Sequence, residues 1–245
     1  MVSHNKELLR KILEHSKIKT MLEIGSGRCS TRMARGILMS EDNYCLSLEE
    51  SEIWHKKMNQ LCPANQHGKV LKVDVGWKNK HLFLDYDSHK KFDFILIDGP
   101  TVHSNTHKKI TNKLSRYLSN DKFWIKTYPL SGGGVSSLHM LEYVLRFFRK
   151  ETFVLVDYRL TAVYYYLQTF VDKNELDFWG VIDDGFVKRR RVHKNVLKEK
   201  YWNDIIDDRQ LIRNRPTLAT FICKKGNKII HDIFKDINVN VVSLL

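Results

Sequence analysis

The chain has few cysteines and no long apolar run, and each of these absences excludes some classes of protein. None of its cysteines forms a Cys-x-x-Cys pair; the four are Cys29, Cys45, Cys62 and Cys223. Their scatter argues against a zinc knuckle or a disulfide framework and fits a reducing compartment. No stretch approaches the roughly 18 apolar residues of a membrane-spanning helix, and the first residues, MVSHNKELLRK, lack the apolar segment of a signal peptide. The sequence therefore predicts an intracellular, cytoplasmic protein with no membrane partner.

Prolines are also scarce, at four, and no proline- or glycine-rich linker divides the 245 residues. A hydrophobic content of 42% is ample for a packed core. We predict one domain over 1–245, with a core over 1–170 and a basic C-terminal elaboration over 171–245. Half of the residues in VKRRRVHKNVLKEK (Val187–Lys200) are Lys or Arg. That segment either binds phosphates or forms a solvated helix face, and both interpretations stay open.

Acidic residues are outnumbered, with 28 Asp and Glu against 41 Lys and Arg, and the formal net charge is +13. Such a balance favours a polyanionic partner, nucleic acid above all, and RNA is the partner that we expect. The alternative is compositional, because AT-biased coding enriches Lys, Asn and Ile without any selection for binding. The net charge alone does not distinguish binding of a polyanion from a bias in the coding sequence.

Apolar runs alternate with amphipathic segments through the first two-thirds of the chain. The predicted strands are Thr20–Ile24, Tyr44–Leu48, Val70–Val73, Phe92–Ile97 and Phe123–Thr127. The predicted helices are a first helix containing Leu8, Leu9, Ile12 and Leu13, then Thr31–Leu38, Glu50–Gln60, Asn105–Leu118 and Ser137–Phe148. Regular alternation of this kind indicates an α/β fold with a doubly wound, mostly parallel sheet.

Beyond Lys150 the pattern allows two interpretations. Thr152–Tyr158 and Val163–Phe170 are both rich in β-forming residues and would make an antiparallel pair that closes the sheet. In the other interpretation Thr217–Cys223 is the last strand, and the residues before it are an insertion. Either way we expect an antiparallel closing strand.

The first predicted strand ends on an acid, Glu23, and is followed at once by the loop Gly25-Ser26-Gly27. Glycine is used where backbone comes close to another group. A loop built only for phosphates gains nothing from a carboxylate beside it. The pattern therefore favours a ligand that carries a cationic amine.

Three more acids follow predicted strands. Glu49 follows Tyr44–Leu48 and is placed to accept hydrogen bonds from the ribose hydroxyls of a nucleoside. Asp74 follows the third strand, where it would meet an adenine amino group. Asp98 ends FDFILIDGP and would face the crevice at the carboxyl edge of the sheet. A nicotinamide-binding site would call for glycine at position 30, which is Ser30, and gives Glu23 no role.

In these residues the chain resembles the class I S-adenosylmethionine-dependent methyltransferases, which have a Rossmann-like fold. The resemblance covers roughly Ile18 to Thr127, through LEIGSG, SLEES, KVDV and FDFILIDGP. It implies S-adenosylmethionine as the cofactor, with Glu23 orienting the methionine ammonium. It further implies that the backbone of Gly25, Ser26 and Gly27 lies against the cofactor, Glu49 binds its ribose, and Asp74 or Val75 lies near its adenine. Cys29 stands where many members of the family carry a third glycine.

Asp98 and Lys126 suggest the acceptor of the methyl group. Lys126 ends the predicted strand after the Asp98 strand, so that both would lie at one sheet edge, and a cation there stabilises a developing alkoxide. The pair is similar to part of the Lys-Asp-Lys-Glu set of RNA ribose 2′-O-methyltransferases, with Lys11 standing for the first lysine. No glutamate is present in Arg159–Tyr166, the stretch that would supply the fourth member. The expectation is methyl transfer to an RNA hydroxyl by Lys11, Asp98 and Lys126.

Two alternatives remain from the sequence. One is a methyltransferase acting on an oxygen or nitrogen of a small molecule or glycan. The other is a catalytically silent, cofactor-binding subunit that binds RNA. A metal-dependent site is not expected, because the predicted fifth strand ends in Lys126-Thr127-Tyr128 without a further acid or amide.

Overall fold

The core of the fold is an eight-stranded sheet. The computed structural model describes residues 3–78, 81–100, 108–109, 140–156, 173–182, 217–239 and 241–243. The helices are α1 (Ser3–Glu14), α2 (Ser30–Ile37), α3 (Glu52–Leu61), α4 (Leu141–Val144), which continues into a 3₁₀ turn (Leu145–Phe147), and α5 (Ile229–Asp236). The strands are β1 (Thr20–Ile24), β2 (Tyr44–Glu49), β3 (Gly68–Lys72), β4 (Val75–Lys78), β5 (His81–Leu84), β6 (Phe92–Ile97), β7 (Phe148–Val156), β8 (Leu176–Ile182), β9 (Thr217–Lys224) and β10 (Val241–Ser243).

The order of strands in the sheet is β10-β8-β9-β7-β6-β1-β2-β3. Neighbours from β3 through β7 run parallel, whereas β9 is antiparallel to both β7 and β8, and β10 is antiparallel to β8. This arrangement confirms the predicted Rossmann-like α/β fold with a mostly parallel sheet and an antiparallel closing strand. The chain moves outward from β1 through β2 to β3 and then returns to the other side of β1 at β6. The junction of β1 and β6 is therefore the topological switch point, where open α/β sheets bind ligands.

Both faces of the sheet are covered, which is why its central strands are continuous apolar runs. All six residues of β6 are buried. One face packs against α4, the 3₁₀ turn and the separate β4–β5 hairpin; it includes Leu22, Leu46, Ile95, Val154, Tyr143 and Leu82. The other face packs against α1, α2 and α5; it includes Met21, Cys45, Phe94, Phe153, Leu9 and Phe234.

At the amino edge of the sheet, the buried carboxylate of Asp93 joins β6 to β1. Its Oδ2 accepts hydrogen bonds from the backbone N–H groups of Lys19 and Thr20, at 2.9 and 2.8 Å, and from the Thr20 hydroxyl at 3.0 Å. The Thr20 hydroxyl oxygen also lies 3.0 Å from the Asp93 N–H. Arg149 forms an ion pair with the other carboxylate oxygen. These contacts fix where the two strands begin relative to each other.

The neighbour of β6 on the side away from β1 is β7 (Phe148–Val156). The predicted fifth strand, Phe123–Thr127, lies outside the described residues, and Lys126 with it. The expectation that Lys126 shares a sheet edge with Asp98 stays a prediction.

Four further expectations are corrected or lie outside the description. The predicted strand Thr152–Tyr158 overlaps β7, which lies at the border of the parallel block, parallel to β6 and antiparallel to β9. β9 (Thr217–Lys224) is not the last strand, since α5 and β10 follow it. Val163–Phe170 and Val187–Lys200 fall outside the described residues, and with them the elaboration's basic segment.

Gly76–Lys91, a segment to which the sequence analysis assigns no helix or strand, contains most of the antiparallel β4–β5 hairpin. Gly76 lies opposite Phe83 in that hairpin, and a Cβ on Gly76 would stand 2.2 Å from the Phe83 ring. In the described part of the chain, no helix is long and apolar enough to cross a membrane.

Candidate functional site

The loops after β1 and β6 meet at the switch point through two glycines. Gly25 has φ +79°, and a Cβ on it would stand 2.9 Å from the Cα of Gly99. The N–H of Gly25 donates to the carbonyl oxygen of Leu48 at 2.8 Å, and the N–H of Asp98 donates to that of Ile24 at 3.0 Å. Glycine at position 25 is thus required by a left-handed backbone and by the facing loop of the protein itself, before any ligand is considered.

Glu23, at the penultimate position of β1, is completely buried and surrounded by donors. Its Oε2 accepts hydrogen bonds from the hydroxyls of Thr31 and Ser47, at 2.6 Å each. Its Oε1 accepts from the Ser30 hydroxyl and, at 3.4 Å, from the N–H of Gly27. The carboxylate therefore ties the glycine loop and the start of α2 to β2.

Burial raises the pKa of Glu23 to about 7, although the three hydroxyl hydrogen bonds lower it and Asp98 raises it somewhat further. The side chain has no exposed surface, and acceptor positions on both of its oxygens are filled by groups of the protein. Contact of Glu23 with a ligand ammonium stays a prediction. Glu23 lies behind the glycine loop, where it positions the backbone.

Glu49 ends β2 as the sequence predicts, and it also reaches the glycine loop. Its Oε2 accepts both the backbone N–H of Ser26, at 2.8 Å, and the Ser26 hydroxyl, at 2.5 Å. Its Oε1 accepts the backbone N–H of Ser51 at 2.9 Å. Because both oxygens already have partners within the protein, the Glu49 carboxylate has a fixed orientation before any ligand binds.

A tryptophan on α3 holds the same loop from the other side. Ser51 is the N-cap of α3, and its hydroxyl oxygen accepts the N–H of Trp54 at 3.2 Å. The indole N–H of Trp54 donates to the carbonyl oxygen of Ser26. The Lys57 ammonium lies 4.7 Å from the centroid of the Trp54 ring. The sequence gives no direct signal for this contact, which depends on how α3 packs.

Asp98 follows β6 and is half-buried. Its carboxylate is near enough to Glu23 to raise the pKa of that residue. The three adjacent strands β2, β1 and β6 thus each carry an acid at or directly beside their carboxyl ends, namely Glu49, Glu23 and Asp98. This juxtaposition agrees with the sequence-based expectation that these acids share one edge.

The two residues predicted near an adenine have other neighbours. The exposed Asp74 carboxylate forms an ion pair with Lys72 at 3.0 Å, and its backbone N–H donates to Asp85 Oδ1 at 2.6 Å. Val75 is the first residue of β4 and packs, half-buried, against the hydrophobic cluster of the hairpin. Contact of either residue with an adenine stays a prediction.

Lys11 lies on α1 and interacts with the end of another helix. Its ammonium donates to the carbonyl oxygen of Ile237, the C-cap of α5, at 3.4 Å. A cation at the C-terminus of a helix is favourable because the unpaired carbonyls carry partial negative charge. This contact gives Lys11 a structural role, and a catalytic role stays a prediction, as it does for Lys126.

The described residues contain no group of three or more His, Cys, Asp or Glu side chains placed to hold a metal ion. Cys29 is exposed in the loop before α2, while the other three cysteines are buried. Burial raises the pKa of the Cys45 thiol well above its ordinary value.

No protein-family model matches the chain, and no curated protein matches it in sequence. Similar solved structures include an S-adenosylhomocysteine-bound methyltransferase from Podospora anserina, at 12% identity and a TM-score of 0.47, covering 92% of this chain and 80% of that one. The O-methyltransferase TomG of tomaymycin synthesis from Streptomyces achromogenes, in complex with S-adenosylmethionine, is 10% identical with a TM-score of 0.46, covering 92% and 82%. An O-methyltransferase from Bacillus cereus in complex with S-adenosylhomocysteine is 12% identical with a TM-score of 0.45, covering 91% and 80%. Identities and scores this low carry no conclusion about activity.

Proposed function

We propose that the chain is an S-adenosylmethionine-dependent methyltransferase. The observation that carries the proposal is that the acids Glu23, Glu49 and Asp98 belong to the carboxyl ends of three adjacent strands at the switch point of a doubly wound sheet. Acids at this edge of a chain of net charge +13 favour a cationic ligand, and Glu49 and Asp98 are the two that are not fully buried behind the glycine loop. S-adenosylmethionine carries an ammonium and a sulfonium, together with a ribose that carboxylates bind well.

The residues at this edge fit that cofactor by the chemistry of their donors and acceptors. Asp98 offers a half-buried carboxylate to a cation. Glu49 offers the remaining acceptor position of its carboxylate to a ribose hydroxyl. Gly25 and Gly27 leave half-buried backbone at the same edge. Glu23 acts behind them by holding the loop.

S-adenosylmethionine, when bound, supplies a methyl group on a positively charged sulfur. The chain's own residues have two tasks, which are to align the acceptor and to receive its proton. We assign to Asp98 the role of taking the proton of an acceptor hydroxyl as the new C–O bond forms and the bond between methyl carbon and sulfur breaks. We include Lys126 in the proposal as the cation that stabilises the developing alkoxide.

For the acceptor we propose a hydroxyl of RNA, of the ribose 2′-O type. The support is the excess of 41 Lys and Arg over 28 Asp and Glu, since a basic protein favours a polyanionic partner. A small molecule or glycan is the competing acceptor. RNA binding without methyl transfer is the competing function.

Two measurements, made one after the other, test the proposal. Isothermal calorimetry with S-adenosylhomocysteine comes first, and absence of binding would sink the cofactor assignment. Transfer of a labelled methyl group is then measured against capped RNA, ribosomal RNA and a small-metabolite extract. Label in RNA supports the proposed acceptor, label in the extract alone rejects it, and binding without any label indicates the silent subunit.

Lys126→Ala should lower transfer at least about tenfold, whereas exposed Lys56→Ala should leave it unchanged.

A further inference from the structure

Exposed lysines gather at the amino edge of the sheet, opposite the edge that we propose for the cofactor. Four consecutive strands contribute them, in the order β9-β7-β6-β1. The parallel strands β1, β6 and β7 begin at this edge, and the antiparallel β9 ends there, because Cys223 pairs with Phe153. The exposed lysines at these strand ends, which we call the lysine row, are Lys224 and Lys225 at the end of β9, Lys150 in β7, Lys90 and Lys91 before β6, and Lys19 before β1.

An irregularity of β7 places Lys150 in the row. The register between β6 and β7 shifts here, so that residues 149–152 of β7 lie opposite the single residue Asp93 of β6. The Thr152 hydroxyl closes this bulge, because it donates to the carbonyl oxygen of Phe92 at 2.5 Å and accepts the N–H of Arg149 at 2.8 Å. Lys150 therefore belongs to a closed loop at the amino edge, where bulges commonly redirect side chains.

Few acids offset the charge of the lysine row. At the same four strand ends the acids are Asp93 and Glu151. Asp93 is buried and forms its ion pair with Arg149, so it does not neutralise a lysine. The adjoining strand β8 adds Glu175 and Asp177 beyond one end of the row. Among the described residues, no carboxylate forms an ion pair with a lysine of the row.

Two lysines of the row are held by groups that leave their charge unneutralised. The Lys91 ammonium donates to the carbonyl oxygen of Arg146, and the Lys90 ammonium lies 4.2 Å from the centroid of the Tyr44 ring. The Arg146 guanidinium lies 3.9 Å from the exposed Asp87 carboxylate, so these two charges offset each other. Side chains that are already held lose less conformational entropy when a ligand binds them.

The length of the lysine row matches a short stretch of phosphates. Neighbouring strands lie about 4.8 Å apart, so the outer two of the four strands are about 15 Å apart. Successive phosphates on one strand of a nucleic-acid duplex lie about 3.4 Å apart along its axis, so about four of them fit this length. A lysine ammonium binds phosphate as a point charge. Such contacts position a nucleic acid without reading its bases.

The strand ends at the switch point carry acids instead, Glu49 and Asp98. Because β1 has five residues and β6 has six, the two edges of the sheet lie about 17–20 Å apart. A polyanion is therefore attracted to the amino edge more than to the switch point.

A lipid surface fits the lysine row less well than a dissolved polyanion does. Segments that bind a membrane surface insert apolar side chains beside their basic residues. In the described part of the chain, the exposed large apolar side chains are Met39, Ile53 and Leu61, and none of them belongs to the four strand ends of the row.

We propose that the lysine row binds the phosphate backbone of RNA, at the edge of the sheet opposite the cofactor site. The inference rests on the proposed function in taking RNA as the partner, but it does not depend on the cofactor. It assigns the binding of the RNA backbone and the transfer of the methyl group to two different edges. The acceptor nucleotide is then several nucleotides away from the phosphates that the row binds.

Fluorescence anisotropy with a labelled single-stranded RNA of about 20 nucleotides measures binding to the full chain. The test triple combines Lys150→Ala, Lys224→Ala and Lys225→Ala. It should bind the RNA at least about tenfold more weakly than the wild type at the same salt concentration. The slope of the logarithm of affinity against the logarithm of salt concentration should become shallower by about 2, because three phosphate contacts are lost.

A control triple removes the same charge elsewhere. It combines Lys56→Ala, Lys78→Ala and Lys235→Ala, which are exposed lysines of α3, β4 and α5. Its affinity for the RNA should stay within about threefold of the wild type, because only the long-range effect of net charge is lost. The comparison of the two triples holds whatever the residues outside the described part contribute, since both triples leave those residues unchanged.

Two further measurements separate loss of charge from loss of structure. Lys150→Arg, Lys224→Arg and Lys225→Arg together keep the charge and should keep the affinity for the RNA. Calorimetry with S-adenosylhomocysteine should give the same affinity for the test triple and the wild type, because the triple leaves the carboxyl edge intact. Thermal unfolding of each variant accompanies the titrations.

The outcomes distinguish this inference from the function on which it rests. An equal loss of RNA affinity in the test and control triples overturns the inference, because net charge would then explain the binding. Binding that the test triple weakens on phosphatidylserine vesicles, but not on RNA, overturns it as well, and so does tighter binding of single-stranded DNA of the same sequence. A selective loss of RNA binding in the test triple supports the inference even if the wild type fails to bind S-adenosylhomocysteine, which would overturn the proposed function alone. Absence of RNA binding by the wild type overturns both the inference and the proposed acceptor.

Discussion

The backbones of Gly25 and Gly99 are in direct contact across the switch point, and each occupies the space that a side chain on the other would need. A Cβ on Gly25 would stand 2.9 Å from Gly99 Cα, and a Cβ on Gly99 would stand 3.0 Å from Gly25 Cα. The contact brings Asp98 beside the glycine loop. The edge that we propose as the cofactor site thus depends on two small residues from different strands.

Gly25→Ala should destabilise the fold as well as the site. Its left-handed φ of +79° and the contact with Gly99 both oppose a side chain. We expect the free energy of unfolding to fall by at least about 2 kcal/mol, measured by urea denaturation. Gly36→Ala is the matched control, since a Cβ on this α2 glycine meets nothing within 4 Å. It should stabilise the protein by about 0.5–1 kcal/mol. Equal stability of Gly25→Ala and wild type would contradict the account.

Glu23→Gln should change how stability depends on pH. Burial raises the pKa of Glu23 from 4.5 to about 7, so the folded state holds the proton more tightly than the unfolded chain does. The resulting stabilisation is complete below about pH 4.5 and is lost as the pH rises through 7. A shift of this size corresponds to about 3 kcal/mol.

Urea denaturation across this pH range tests the prediction. The glutamine variant should lack the decline, and its amide is tolerated because the hydroxyls of Ser30, Thr31 and Ser47 can rotate to accept a hydrogen bond. Exposed Glu52→Gln should retain the wild-type profile. Parallel profiles for wild type and Glu23→Gln would refute the assignment of the slope to this residue.

Glu49→Gln should be less well tolerated than Glu23→Gln. Both carboxylate oxygens of Glu49 accept backbone N–H groups, from Ser26 and Ser51, and these donors cannot rotate into acceptors. The NH2 group of a glutamine would therefore point at one of these backbone N–H groups, and the lost hydrogen bond should cost about 2 kcal/mol of stability. Binding of S-adenosylhomocysteine should weaken in parallel. Exposed Glu41→Gln serves as the control, and a Glu49→Gln protein of wild-type stability would count against the described contacts.

Trp54→Phe should weaken ligand binding more than it weakens the fold. The substitution keeps an aromatic ring on α3 but removes the indole N–H that holds the Ser26 carbonyl. We expect the dissociation constant of S-adenosylhomocysteine to rise about fivefold by calorimetry, with a small change in melting temperature. Lys57→Ala, which removes only the exposed cation above the ring, should bind normally. Unchanged affinity of Trp54→Phe would mean that Ser26 does not need this support.

The sequence predicts the first half of the sheet well, because its local patterns suffice there. β1, β2 and β6 match the predicted strands to within one residue, since each is a short apolar run between turns and polar segments. The sequence predicts the β7 segment as a strand but not its neighbours, which are β6 in parallel and β9 in antiparallel orientation. These pairings join residues that are distant in sequence, so no local pattern reports them.

At the site, the sequence predicts the acids but not what they bind. Glu23 and Glu49 stand at their expected strand ends, yet both bind hydroxyl or N–H groups of the protein. Gly25 is predicted to approach a ligand, and the structure shows that a Cβ at this position would also clash with the backbone of Gly99. Such contacts join residues that are distant in sequence, so no local pattern reports them. For the same reason a substitution of Gly25 tests folding together with ligand binding.

The Asp93 contacts at one end of β1 and β6, and the glycine contact at the other, jointly set the register of these two strands. A slip of one residue would turn every side chain of β6 to the opposite face and separate Asp93 from Thr20. The same slip would move Gly99 away from Gly25. Misaligned molecules would thus lose the proposed ligand site along with the correct pairing. The number of ligand-binding sites per molecule in a purified sample would accordingly report the fraction of molecules that have folded in register.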